Sequence, residues 1–174
     1  MFEQFCNMDS YISAPNLSNG FHGILLEYIN KYYKSRDSIL LIAENNNINY
    51  IFKNRFPGII IYNNEYEGNI GQKFTDLNVS GALSGSFNFV FSQALLEHIC
   101  RPDIALENMV NVTTIGGHII IHTQNPQMAY HKCPVDCLRF FKDWFIEMQK
   151  YLPIKLVEWN EFGAHMFCVY ERVA

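Results

Sequence analysis

Short unbroken apolar runs alternate along this chain with stretches in which apolar positions recur every three or four residues. Unbroken runs of strand length suit strands covered on both faces, and the wider spacing suits helices with one buried side. Phe21, Ile24, Leu25, Tyr28, Ile29 and Tyr32 predict a helix over 21–33, which Arg36-Asp37-Ser38 breaks. Ile39 to Ala43 predicts a buried strand, Asn47 to Phe56 a short helix closed by Pro57-Gly58, and Ile59 to Tyr62 a second buried strand. A weaker strand is expected over Gln72 to Thr75. Phe87 to Phe91 reads as a strand, followed by a helix from near Ala94, the break Arg101-Pro102 and a helix from Asp103 to Val112. Ile115-Gly116-Gly117 turns into the strand His118 to His122. Leu138, Phe141, Phe145, Met148 and Leu152 predict an amphipathic helix between Pro134 and Leu152. The strands Ile154 to Trp159 and His165 to Glu171 then flank the hairpin residues Asn160 to Gly163.

Strands alternating with helices and closed by a hairpin predict an α/β fold with a doubly wound, mostly parallel sheet. Seven strands, or slightly fewer, are expected, the C-terminal hairpin supplying the antiparallel strand. The 174 residues suit one domain spanning 1–174, with 1–20 as an irregular arm. In such sheets ligands bind outside the carboxyl ends of the strands, near the point where strand order reverses. The expected ends are Ala43 to Asn47, Tyr62 to Glu65, Thr75 to Leu77, Ser92 to Gln93 and His122 to Asn125.

Composition narrows the function classes. With 49% apolar and 17% charged residues the chain has the make-up of a packed domain. The net charge of −4, with no stripe of Lys and Arg, argues against nucleic acid or an anionic membrane as partner. The start Met1-Phe2-Glu3-Gln4 lacks a basic region followed by an apolar one, so a cytoplasmic location is expected. Cys6, Cys100, Cys133, Cys137 and Cys168 are odd in number and scattered, which suits free thiols.

The run Phe89 to Ile99 with Leu96-Glu97-His98, then Arg101-Pro102, a helix and Ile115-Gly116-Gly117 before a strand, resembles the middle of class I S-adenosylmethionine-dependent methyltransferases. The resemblance extends from about Ile39 to Val173. It implies a Rossmann-like methyltransferase fold, S-adenosylmethionine as cofactor, and a transferase acting on O or N of a small polar molecule, such as a saccharide or polysaccharide precursor. By the same resemblance, Asp76 would receive the adenine amino group with the Leu77 amide beside the ring. The family's glycine-rich loop falls on Ala43-Glu44-Asn45-Asn46-Asn47, which contains no glycine. Asn tolerates a left-handed backbone best among non-glycine residues, so the turn can survive while its side chains occupy added space. The family's acidic residue for the ribose falls on Asn63 or Asn64, which can still hydrogen-bond a hydroxyl, if more weakly than a carboxylate. The cofactor set implied is Ala43, Glu44, Asn45, Asn47, Asn63, Asn64, Asp76, Leu77, Ser92 and Gln93.

Tyr130 to Phe141 resembles a His, Pro, Asp, Arg-Phe pattern of small methyltransferases, several of them tied to saccharide or natural-product modification. His131 is there the candidate catalytic base, since a near-neutral pKa suits removal of a proton from a hydroxyl or amine. His98, Gln124, Asn125, Asp136 and Arg139 are candidate substrate contacts. Asp136 also reads as a helix cap, and as the partner of Arg139 three residues on. A zinc reading of His131, Cys133 and Cys137 is disfavoured because paired spacing is absent and Pro134 intervenes, so no metal is expected. His118 and His122 read as core or edge residues, and Phe140, Phe141, Trp144 and Phe145 as helix packing. A partner protein or a second copy of the chain is compatible with the reading. The alternative is a non-catalytic relative that serves as partner or scaffold subunit. A dinucleotide-binding oxidoreductase fits less well without a glycine-rich turn.

Overall fold

The computed structural model describes residues 21–42, 46–64, 76–131 and 135–174. The expected arm 1–20, the residues Ala43, Glu44 and Asn45, the weak strand Gln72 to Thr75, and Cys133 lie outside them.

In chain order the elements are α1 (Phe21–Tyr32), β1 (Ser38–Ile42), α2 (Asn46–Arg55), β2 (Ile60–Asn64) and β3 (Phe87–Gln93), then a 3₁₀ turn (Leu96–His98). There follow α3 (Pro102–Val112), β4 (Thr113–Gln124), α4 (Lys142–Met148), β5 (Ile154–Phe162) and β6 (His165–Arg172). Among the described residues six strands form one sheet in the order β2-β1-β3-β4-β6-β5. β1 is parallel to β2 and β3, β3 is parallel to β4, and β6 runs antiparallel to both β4 and β5. The sequence expectation of a mostly parallel sheet ending in an antiparallel hairpin holds.

Residue parity explains why the strands read as unbroken apolar runs. Ile39, Leu41, Phe89, Phe91, Ile120, Phe167 and Val169 pack on one face against Leu25, Leu26 and Ile29 of α1 and Phe52 of α2. Their neighbours Leu40, Ile42, Val90, Ile119, Ile121, Cys168 and Tyr170 pack on the other against α3 and Phe145 of α4. Both parities are buried, so alternation disappears. Each such side chain contributes about 1.5–3 kcal/mol on burial. The Tyr170 hydroxyl, buried in this core, donates to the Phe145 carbonyl at 2.7 Å, so the polar tip goes under without loss.

Four elements differ from expectation. The helix expected from near Ala94 is only the turn Leu96–His98. Ala94 takes a left-handed φ of 48° and donates its N–H to the His122 carbonyl at 2.9 Å, which turns the chain before a helix can start. The helix expected between Pro134 and Leu152 spans only Lys142–Met148. Ahead of it, the N–H groups of Cys137 and Leu138 donate to the Glu97 carbonyl and that of Phe140 to the Gln124 carbonyl, so tertiary bonds hold this stretch extended. β4 begins five residues early, with Gly116 at a φ of 77° and Gly117 so close to β3 that a Cβ would lie 2.7 Å from the Asn88 carbonyl oxygen. The hairpin is also tighter, since Phe162 pairs with His165 and leaves Gly163 and Ala164 as its loop.

Candidate active site at the strand ends

The parallel register brings four strand ends level. Ile42 is opposite Asn64 on one side and Ser92 on the other, and Ser92 and Gln93 are opposite Ile121 and His122. The expected positions Asn63, Asn64, Ser92, Gln93 and Gln124 therefore share one sheet edge. Asn47 lies in the first turn of α2.

Buried polarity marks this edge. Ser92, Gln93, Glu97 and Gln124 are all buried. Among the described residues, Ser92 Oγ, Gln93 Oε1, Glu97 Oε1 and Gln124 Oε1 find no hydrogen-bond partner. A buried polar atom left unpaired costs about 1–3 kcal/mol, and native proteins keep such atoms where a ligand, ion or water satisfies them. Four such atoms lie at adjoining strand ends and the turn beyond them, which makes this edge the candidate site for a polar guest.

Glu97 went unselected in the sequence, where only its neighbour His98 was singled out. Its carboxylate accepts from the Thr123 hydroxyl at 2.7 Å through Oε2, and burial pushes its pKa up. Its one sequence signal is a charged residue inside the apolar stretch Leu95 to Ile99. His98 directs Nδ1 to the Val135 carbonyl and stands edge-on to His131, with ring centroids 5.2 Å apart and planes at 89°.

His131 does lie on the loop beyond β4. Its N–H donates to Asp136 Oδ2 at 2.7 Å, and its Nδ1 is 3.3 Å from both the Ala129 carbonyl and Arg139 Nη2. Asp136 is no helix cap, because α4 starts six residues later. It pairs with Arg139, whose Nη2 donates to Oδ2 at 2.6 Å. Arg139 also donates to the carbonyls of Met128 at 3.1 Å, Ala129 at 2.9 Å and Leu138 at 2.7 Å, so the pair clamps the loop that carries His131. The Arg139 guanidinium draws the Asp136 carboxyl down to about 2.

The remaining expected residues have structural work. Asn125 donates to the Gly163 carbonyl and accepts from the Gln127 N–H, both at 2.9 Å, which ties the site to the hairpin. The exposed Asp76 accepts from the Asn78 N–H at 3.0 Å and its side-chain amide at 2.8 Å, and these bonds lower its pKa. Leu77 is buried in the core with Ile42 and Leu96. Asn108, buried in α3, holds the segment after Leu77 by donating to the Leu77 and Val79 carbonyls and accepting from the Gly81 and Ala82 N–H groups. His118 stacks on Tyr32 with centroids 3.9 Å apart, and His122 lies 3.0 Å from His165, nitrogen to nitrogen. Of the aromatic group, Phe140, Trp144 and Phe145 pack together while Phe141 is exposed. Cys137 Sγ lies 3.0 Å from Cys100 Sγ, so its near neighbour is a thiol, not the His131 ring of the disfavoured zinc set.

The sequence matches no protein-family model and no curated protein. Solved structures do match. A SAM-dependent methyltransferase from Aquifex aeolicus superposes with a TM-score of 0.63 at 11% identity, over 94% of this chain and 96% of that one. The fold is that of the class I methyltransferases. A chain from the Haloferax volcanii complex that contains the Trm112 methyltransferase activator aligns at a TM-score of 0.63 and 8% identity, covering 96% of each chain. The N-terminal domain of EvdMO1, solved in the presence of SAH and D-fucose, aligns at 0.62 and 15% identity over 87% of this chain and 82% of that domain. Among the described residues, no helix is long and apolar enough to cross a membrane.

Proposed function

We propose that the protein transfers a methyl group from S-adenosylmethionine to an oxygen or nitrogen of a small polar molecule, in the first instance a saccharide or a polysaccharide precursor. The observation that carries this reading is the set of unpartnered buried polar atoms at the strand ends of a class I methyltransferase fold. The cofactor would supply an electrophilic methyl group on a sulfonium. Ser92 and Gln93, with the backbone positions Asn47, Asn63 and Asn64, would bind its polar parts, and Asp76 with the Leu77 amide its adenine. Asp76 keeps an exposed carboxylate for that bond. Ala43, Glu44 and Asn45 would complete the set.

His131 is the residue we assign to the acceptor's proton, with His98, Gln124 and Arg139 on the acceptor's side. The clamp formed by Asp136 and Arg139 supports that assignment, since it fixes the loop and so the imidazole. Catalysis would then rest on proximity and proton removal. A saccharide is favoured as acceptor by the D-fucose in the EvdMO1 structure.

Calorimetry with S-adenosylhomocysteine tests the reading. Heat of binding is expected, and its absence at millimolar ligand defeats the proposal. Transfer of labelled methyl to a panel of monosaccharides, D-fucose among them, then tests the acceptor, and His131→Ala should slow transfer while leaving the cofactor heat in place. The glycine-free loop favours a second reading, in which the chain keeps the fold and serves as partner subunit to another protein. A complex seen by light scattering when the chain is mixed with a candidate partner protein, together with a silent calorimeter, would support it.

A further inference from the structure

We propose that Glu97, His98 and His131 form a binding site for a divalent transition-metal ion of the zinc type. One donor atom from each of the three lies within 4.8 Å of the others. An ion at the centre of a triangle with that edge stands at most about 2.8 Å from each donor, and a formed site needs about 2.0–2.2 Å, so each side chain moves inward by less than about 1 Å.

Two further observations point to an ion. Glu97 is wholly buried, and its Oε1 has no partner among the described residues while Oε2 is held by Thr123. A buried carboxylate oxygen without a donor is costly, and a cation is the guest that satisfies it most completely. Both imidazoles are also oriented as ligands usually are. Nδ1 of each ring lies at a backbone carbonyl, Val135 for His98 and Ala129 at 3.3 Å for His131, and donating there leaves each Nε2 lone pair for the ion. Metal-bound histidines commonly have the second nitrogen fixed in this way. Two imidazoles and one carboxylate suit zinc, cobalt or iron in the divalent state better than magnesium or calcium.

Three protein ligands leave a fourth position of a tetrahedral ion open. An acceptor oxygen would enter there, so the ion selects for hydroxyl-bearing molecules and a polyol is the ligand class that fits. This rests on the methyl-transfer reading for the acceptor only; with the ion in place His131 acts as a ligand and not as the base, and the ion lowers the acceptor hydroxyl's pKa so that its proton passes to water.

The test uses the full chain, stripped by chelator and titrated with cobalt(II). A visible absorption band saturating at one ion per chain is expected. Glu97→Gln, His98→Asn and His131→Asn should each weaken binding at least tenfold, with circular dichroism confirming that the variants fold. His131→Asn, on a half-exposed loop residue, guards against a variant that fails to fold. No band, or a band undiminished in all three folded variants, overturns the site. Cofactor calorimetry on the metal-free chain separates the two readings, because S-adenosylhomocysteine heat with no cobalt band removes the metal site alone, and a cobalt band without that heat removes the transferase reading alone.

Discussion

Thr123 at the end of β4 donates its hydroxyl hydrogen to Oε2 of Glu97 at 2.7 Å, inside the core and 26 residues away along the chain. That bond fastens the 3₁₀ turn to the sheet edge. The Glu97 main-chain carbonyl meanwhile accepts from Cys137 and Leu138, so one residue joins the turn, the strand and the loop that carries His131.

Thr123→Val keeps the shape and removes the donor, leaving both Glu97 oxygens unpaired. A loss of about 1–3 kcal/mol in urea unfolding is expected, and Thr123→Ser should recover most of it. A valine variant as stable as the parent would show that Glu97 gains nothing from the hydroxyl.

Asp136 supplies a pH dependence whose sign is set by its lowered pKa. An ordinary Asp titrates near about 3.9, and here Arg139 holds the group down to about 2. The unfolded chain binds the proton first, so the pair's stabilisation is complete above about pH 4 and is lost as pH falls toward about 2. Asp136 is covered yet close to solvent, which trims the contribution to about 1–2 kcal/mol. Acid unfolding followed by tryptophan fluorescence should be less steep in Asp136→Asn across that window, and an identical profile would deny the clamp its role.

Cys100 and Cys137 stand 3.0 Å apart, sulfur to sulfur, on the turn and on the loop. Sharing a hydrogen bond with Cys100 pushes the Cys137 thiol up to about 11, which keeps it protonated at neutral pH. Mild oxidation should link the two, which peptide mass spectrometry would detect, and closing that loop should stabilise the chain by about 3–4 kcal/mol. Cys168, buried in the core, should stay unmodified in the native protein. Oxidation that leaves Cys100 and Cys137 unlinked would contradict this contact.

Strongly patterned elements were legible before any coordinates, because burial on two sides forces unbroken apolar runs. β1, β3, α3 and the hairpin strands were found this way, each within a few residues. The helix expected at Ala94 shrinks to a turn and the one expected from Pro134 starts only at Lys142, for a shared reason. Leu138 and Phe141 have helical spacing, yet the backbone of 137–140 bonds to Glu97 and Gln124, partners that no local window contains.

The same division runs through the site. His131, Asp136 and Arg139 could be picked from a short motif, since residue type and spacing carry that information locally. Glu97 could not, because its importance lies in being sealed beside Thr123, His98 and His131, contacts made only when strand, turn and loop close on one another. Apolar periodicity along the chain determined the layered α/β sheet and its hairpin ending, for burial is a property each segment states for itself. The tertiary structure alone decided which polar atoms lost their water and found no partner, because desolvation depends on neighbours distant in sequence.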